Sequence, residues 1–345
     1  MKVIIFTMAY NAQFTIKRTI ESILNQTFHG FEYYILDNAS TDKTEDIILE
    51  YSKRDKRVIP IHVNKNDPPN GGAFFHALVH STDAKYIVWC DADDAYTPDF
   101  LENMIAFSEE NDLDIAACGY DKIDGSTGAI IKHRSLEKNL ILHSQLFADE
   151  FIQYRGFVSY LWGKLYSISF LKERRFTGTV KRERICNDSS WTLGAFKKAQ
   201  RAGIYGKSMY QYYQYPNSLS HINIEASLSS YRDLWTATKE YLEYYGPISK
   251  LNEDFLYAIH LSLVDEAIGN VFAADLDTEK KLDLLKQVFS DPVWGDTLRR
   301  DADPIFCNLA GRKEFVSSVK NKILNLPEIE RFPIEKQCLF SYFDI

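Results

Sequence analysis

Between residues 3 and 110 the chain alternates apolar strands with amphipathic helices four times over, and that alternation limits its fold more than any other feature. Residues 3–9 (VIIFTMA) are an unbroken apolar run, the pattern of a strand buried on both faces. Ile16, Ile20, Ile23, Leu24 and Thr27 then recur at helical spacing. FEYYILD makes a second strand ending at Asp37, and Asp42 with Glu45 reads as a capping box opening a helix through Ile47, Ile48 and Tyr51. Residues 57–63 form a third strand, 72–80 a short helix and 86–90 a fourth strand. Thr97 as N-cap and Pro98 at the first helical position start the helix of Leu101, Met104 and Ile105. This order predicts an α/β, Rossmann-like, mostly parallel sheet with helices on both faces. Such sheets bind ligands beyond the carboxyl ends of their strands. Asn11, Asp37 and the Asp91–Asp94 cluster all fall just past a strand end.

From about residue 225 the strand pattern stops. Leu234, Tyr241, Leu251, Phe255, Ile259 and Leu263 mark helices, so residues 1–225 are expected to form one domain and 226–345 a helical C-terminal region. The net charge of −8, with no long Lys/Arg block, argues against nucleic acid as a partner. Five scattered cysteines without C-x-x-C spacing argue against a disulfide framework or a zinc site, and for a reducing compartment. The N-terminal apolar run breaks at Tyr10-Asn11, too early for a signal peptide, and no run of roughly 18 apolar residues occurs to span a membrane. A cytoplasmic location follows as the expectation, and contact with the inner face of the membrane has no basic amphipathic stretch to support it.

The segment YIVWCDADDAYTPDF (residues 86–100) sets three carboxylates directly after a buried strand. Their repulsion is costly unless a cation, or a ligand carrying one, sits among them. Asp91 and Asp93, one residue apart, can share a hard divalent ion such as Mg²⁺ or Mn²⁺, with substrate phosphates as further ligands. A helix-capping turn is the bland alternative. The first strand-to-helix turn, AYNAQFT, has no glycine, which excludes both the dinucleotide fingerprint and the P-loop. The same absence weighs against a sugar nucleotidyltransferase.

Three segments taken in order resemble the family 2 glycosyltransferases of the GT-A fold: VIIFTMAYNAQFTIKRTIESILNQTF, FEYYILDNASTDKTEDII and KYIVWCDADDAYTPDFLENMI. FVSYLWGKLYSISFLKERRF and MYQYYQYPNSLSH extend the resemblance more thinly, and NKNDPPNGGAFFHAL resembles the family's loop near the nucleotide, with Pro68-Pro69 departing from it. The resemblance implies an inverting, metal-dependent transfer of sugar from a nucleotide-sugar, with a UDP-sugar as default donor, to a hydroxyl-bearing glycan, lipid-linked or protein acceptor. Surface polysaccharide or glycoconjugate synthesis is the implied setting. It divides the first domain into a nucleotide-sugar half (1–110) and an acceptor half (111–225).

Residue by residue, it implies that Ala9, Tyr10, Asn11, Asp37, Asn66, Asp91 and Asp93 bind the nucleotide-sugar. Tyr10 would flank the base and Asp37 would accept from its N–H edge. Asp93 and Asp91 would hold Mn²⁺ or Mg²⁺, with His221 as a possible late ligand. Asp188 in ICNDSSWTL would be the general base, with Asn187 where the family commonly has Glu. Trp162 and Lys164 would line the acceptor side, against a core Trp and a surface Lys as the plain readings. His62 and His76 read as structural. A GT-A-like protein that binds sugar nucleotide or a partner without transfer is the alternative function.

Overall fold

The computed structural model of the chain describes residues 2–67, 69–173, 187–215, 224–274 and 276–289. They fall into two compact units that divide after the last strand, the first holding every described strand and the second the last three helices.

The first unit is built on a sheet of ten strands: β1 (Val3–Ala9), β2 (Phe31–Asp37), β3 (Val58–His62), β4 (Tyr86–Trp89), β5 (Ala95–Tyr96), β6 (Ile115–Asp124), β7 (Ile130–Arg134), β8 (Leu140–His143), β9 (Lys164–Ser167) and β10 (Arg201–Gln214). The order across it is β3-β2-β1-β4-β9-β6-β10-β5, with β7 on β6 and β8 on β10. Strands β3, β2, β1 and β4 are parallel, as their connecting helices require. β9 enters antiparallel between β4 and β6, so its first residues meet the last residues of β4. The inner strands are apolar on both faces: Val3, Ile4, Phe6, Ile35, Leu36, Ile87 and Val88 are fully buried.

The helices of this unit are α1 (Ile16–Leu24), α2 (Thr44–Arg54), α3 (Pro69–Ser81), α4 (Phe100–Asn111), the short α5 (Leu146–Asp149), α6 (Phe151–Tyr154) and α7 (Ile168–Glu173), and α8 (Asn187–Lys198). α1 buries Ile16, Thr19, Ile20 and Ile23, its i, i+3, i+4, i+7 stripe. Two caps differ from expectation. Asp42 does serve the start of α2, accepting from the Thr44 amide at 2.9 Å, but Glu45 turns away to His62 at 3.2 Å, so no reciprocal box closes. Thr97 lies ahead of α4, and Asp99 holds the N-cap position without a side-chain cap bond. The Thr97 hydroxyl is used on the Asp99 carboxylate instead, at 2.9 Å.

The second unit holds α9 (Ile224–Glu243), α10 (Lys250–Ala273) and α11 (Thr278–Phe289), as the apolar spacing predicted. α10 packs against α9 and α11, and Trp235 donates its indole N–H to the Leu256 carbonyl at 3.1 Å. Over Lys250–Phe272, α10 is long and apolar enough to cross a membrane (mean hydropathy 1.2), contrary to the expectation that no such segment exists. Its apolar stretch is 71% buried against protein, which is how the core helix of a bundle acquires the same composition.

Candidate active site

The parallel register brings the predicted residues to one rim. Ala9 pairs with Asp37 and Asp37 with His62, so the ends of β1, β2 and β3 finish level. Phe6 pairs with Trp89, which brings the Asp91–Asp94 turn beside the β1 end. Past β1, the Tyr10 ring is 46% exposed and free to stack. Asn11 takes a left-handed backbone (φ 50°), tolerated by Asn, and its side-chain oxygen accepts from the Thr41 amide at 2.8 Å. The buried Asn38 donates its amide N–H to the Ala9 carbonyl at 2.8 Å, and its side chain donates to Asn66 Oδ1 at 3.0 Å. The turns after β1, β2 and β3 are thereby laced together.

Asp37 is almost wholly buried. His62 Nδ1 lies 3.2 Å from its Oδ2, and the Ser40 amide donates to Oδ1 at 3.3 Å. A carboxylate offers about four lone-pair sites, so acceptor capacity remains for a base N–H. His62 also reaches Glu45 at 3.2 Å, so it links two carboxylates. The ligand atoms of Asp37, Glu45 and His62 lie within 4.8 Å of one another, a grouping the sequence reading did not foresee and one distinct from the D-x-D pair.

After β4, the three aspartates separate by role. Trp89 Nε1 donates to Asp91 Oδ1 at 2.7 Å, which leaves Oδ2 out of that bond. Burial, then the neighbouring Asp93 and Asp188 carboxylates, push Asp91 up to about 7. Burial also raises Asp93, opposed by the Arg18 guanidinium. Among the described residues no ion pair neutralises either carboxylate. An all-oxygen, half-buried pair short of positive charge fits a hard divalent cation, and Asp91 and Asp93 would hold it.

Asp94 has a different task. It is fully buried, takes the Tyr210 hydroxyl on Oδ2 at 2.7 Å and the Tyr213 amide on Oδ1 at 2.8 Å, and its own carbonyl accepts from Thr19 at 2.7 Å. Arg18 lies flat over the Tyr213 ring at 3.5 Å and donates to the Asp93 carbonyl and the Tyr215 hydroxyl. The D-x-D turn is therefore pinned between α1 and β10 by Arg18, Asp94 and Tyr210. The sequence reading assigned none of these three a role, because their partners lie 75 to 197 residues away along the chain.

Asp188 stands in the first turn of α8. Its side chain is exposed, yet the protein packed around the carboxyl pushes it up to about 6, opposed by Lys164. It is close enough to Asp91 for the two carboxylates to repel. α8 is anchored by Ser189 donating to the Ser159 carbonyl at 2.8 Å and Thr192 to the Tyr160 carbonyl at 3.3 Å. The base candidate and the D-x-D pair thus converge.

Trp162 and Lys164 do not present themselves to an acceptor. Trp162 is 4% exposed, with Tyr210 stacked at 4.2 Å (6°) and Tyr160 at 4.3 Å (10°). Two near-parallel rings that close must lie on opposite faces, since on one face they would overlap, so both faces of the indole are covered. Lys164 is 1% exposed and donates to the carbonyls of Tyr160 and, at 3.2 Å, Trp162. Desolvation lowers it to about 7, against the attraction of Cys118 and Asp188. Both residues build the wall rather than line it. Between them Gly163 has φ +66°, and a methyl there would meet nothing closer than Cys118 Sγ at 3.7 Å. Gly163→Ala is therefore expected to cost only the left-handed backbone term, about 1–2 kcal/mol in denaturant unfolding, without a steric clash. Asn187 opens α8 with its side chain outside the described residues, and His221 lies outside them altogether.

A family model described as glycosyl transferase family 2 matches residues 4–169, which carry the D-x-D turn and β9. Those residues are just under half of the chain, and the fold around them is that of the GT-A glycosyltransferases. It is 25% identical over 286 residues to the uncharacterized glycosyltransferase EpsJ of Bacillus subtilis, covering 81% of each chain. Several other curated relatives match over less than half of their own length. Among solved structures, TarS 1-349 of S. aureus in complex with UDP-GlcNAc superposes with TM-score 0.62 at 18% identity, over 87% of this chain and 81% of that one. The mannosyltransferase PcManGT of Pyrobaculum calidifontis, in complex with GDP-Man and Mn²⁺, does so with TM-score 0.51 at 13% identity, over 94% and 88%.

Proposed function

We propose that the chain is an inverting, metal-dependent glycosyltransferase that moves a sugar from a UDP-sugar to a hydroxyl-bearing glycan, lipid-linked or protein acceptor in cell-surface glycan synthesis, working in the cytoplasm or at the inner face of the membrane. The observation that carries this reading is the convergence of Asp188 on the Asp91–Asp93 pair, at the rim where Tyr10, Asp37 and Asn66 gather. Similar folds hold UDP-GlcNAc in one case and GDP-Man with Mn²⁺ in another, which supports both the donor class and the cation. Tyr10 flanks the base and Asp37 accepts its N–H. Asp91 and Asp93 would hold a divalent cation, which would supply positive charge where the diphosphate oxygens gain negative charge. Asp188 takes the proton from the acceptor hydroxyl as its oxygen bonds to the anomeric carbon. The bond from that carbon to the phosphate oxygen breaks, and its electron pair leaves with the nucleoside diphosphate. A single displacement of this kind inverts the anomeric centre.

Thermal melting against UDP-, dTDP- and GDP-sugars, with and without Mn²⁺, tests the donor and the cation together. A donor at a hundredfold excess over Kd is expected to add about 2.7 kcal/mol to stability, in wild type but not in Asp93→Ala. The effect of Mn²⁺ has a pH sign. Asp91's folded-state pKa is raised, so without cation its ionisation disfavours the folded state, with stability falling from about pH 4 to about pH 7 and level above. Below about pH 7 the folded Asp91 carboxyl is protonated, and protons compete with the cation. Stabilisation by Mn²⁺ is thus expected to be larger at about pH 8 than at about pH 5.5. Equal shifts at both, or a shift retained by Asp93→Ala, would remove the cation from this turn.

A further inference from the structure

Trp162 is closed on both faces, yet its aromatic group has an outer side. Tyr160 covers one indole face, and Tyr212 sits 5.6 Å from the indole at 17° and 6.4 Å from Tyr160 at 27°. Of the rings around Trp162, Tyr120 and Tyr210 are buried, whereas Tyr160 and Tyr212 are only partly covered. Their backbone positions tie them to opposite ends of the reaction centre. Tyr212 lies on β10 between Tyr210 and Tyr213, both bonded to Asp94 of the D-x-D turn. Tyr160's carbonyl accepts from Thr192 of α8, one turn after Asp188, and from the buried Lys164 amine. The near-parallel pair of half-open rings is thus carried on one side by the strand that braces the D-x-D turn and on the other by the segment that anchors α8, which bears the base. It is on the β10 side of β4, away from the β1–β3 rim where the nucleotide residues gather.

We propose that Tyr212 and Tyr160 form the stacking platform for a pyranose ring of the acceptor. The inference rests on the transferase reading above and adds the class of group that carries the attacking hydroxyl. A pyranose presents a flat face of C–H groups, which packs on an aromatic ring with little entropic cost when the ring is already held. The platform is held: Tyr160 by its stack on Trp162 and by the Thr192 and Lys164 bonds to its carbonyl, Tyr212 by the neighbours that bind Asp94. An acceptor ring lying there would come from the β10 side of the sheet, away from the β1–β3 rim assigned to the nucleotide.

The test is saturation-transfer NMR on the full chain with UDP and Mn²⁺ present. The probes are the methyl pyranosides of glucose, galactose, mannose and N-acetylglucosamine, with ribitol as the polyol lacking a ring. Wild type and Tyr212→Phe are expected to transfer saturation to the C–H face of at least one pyranoside and not to ribitol. Tyr212→Ala, and independently Tyr160→Ala, are expected to lose at least about fivefold of that transfer, the order of one stacking contact. UDP binding by melting, measured on the same samples, shows that each variant is folded and that the donor end is intact. Failure of UDP and Mn²⁺ to bind wild type would remove the transferase reading and the platform with it. UDP binding with no pyranoside signal in wild type, or with full signal in both alanine variants, would overturn the platform alone. Weakened UDP-sugar binding relative to UDP in Tyr212→Ala, with pyranoside binding unchanged, would reassign the rings to the donor sugar and also overturn it.

Discussion

Asp188→Asn is expected to lower the rate of sugar transfer by about 10²–10⁴ while leaving donor-induced stabilisation unchanged. Asparagine keeps the shape and the place in the first turn of α8, but its amide cannot take the acceptor's proton. The pH profile provides a second reading of the same group. The protein packed around its carboxyl sets Asp188 at about 6, so it is protonated and inactive below that value and ionised above it. Transfer by wild type should rise with pH through about 6 and then level off, and the residual rate of Asp188→Asn should lack that rise. A variant with a wild-type rate would show that the proton goes elsewhere. A variant that also loses donor binding would place Asp188 on the donor rather than the acceptor.

The largest stability effect is expected at Asp94, which the D-x-D pattern does not separate from its neighbours. Asp94→Ala leaves the Tyr210 hydroxyl and the Tyr213 amide without their partner in a buried setting. Each of these two orphaned groups costs about 1–3 kcal/mol, so a loss of about 2–6 kcal/mol in denaturant unfolding is expected. The turn carrying Asp91 and Asp93 would lose its attachment to β10 with it, and metal-dependent donor binding should weaken in parallel. Asp94→Asn should be far milder. Burial and the adjoining Asp93 and Asp91 carboxylates raise Asp94 well above the ordinary carboxylate range, which favours the neutral acid that asparagine imitates. If alanine and asparagine proved equally costly, a charge on Asp94 would be part of what holds the turn.

The rim and the wall of this site were not equally legible. Asn66 was marked by the family resemblance alone, whereas Asn11, Asp37 and Asp91 each follow an apolar run that reads as a buried strand, and parallel strands joined by helices must end on the same side. Sequence period was therefore enough to put them at one edge before any contact was known. The helical nature of residues 224–289 followed from the same reasoning, since a 3.6-residue apolar repeat has few other solutions. The capping details did not follow, because Asp42, Glu45 and Thr97 each had several polar neighbours and tertiary geometry chose among them.

What the amino-acid order determined by itself was the alternating sheet, the edge where its strands end and the carboxylate pair placed past the fourth strand. What only the folded chain decided was which polar and aromatic groups face the ligand and which hold others in place. Asp94 looks like Asp91 and Asp93 in the sequence, yet a hydroxyl and an amide from β10 make it a brace. Trp162 and Lys164 look like a binding pair, yet β9 slots between β4 and β6 and seals both, leaving the open faces to Tyr160 and Tyr212. The physical reason is that burial depends on strand order across the sheet. Neighbours there lie tens to hundreds of residues apart, and no local pattern records which of them will meet.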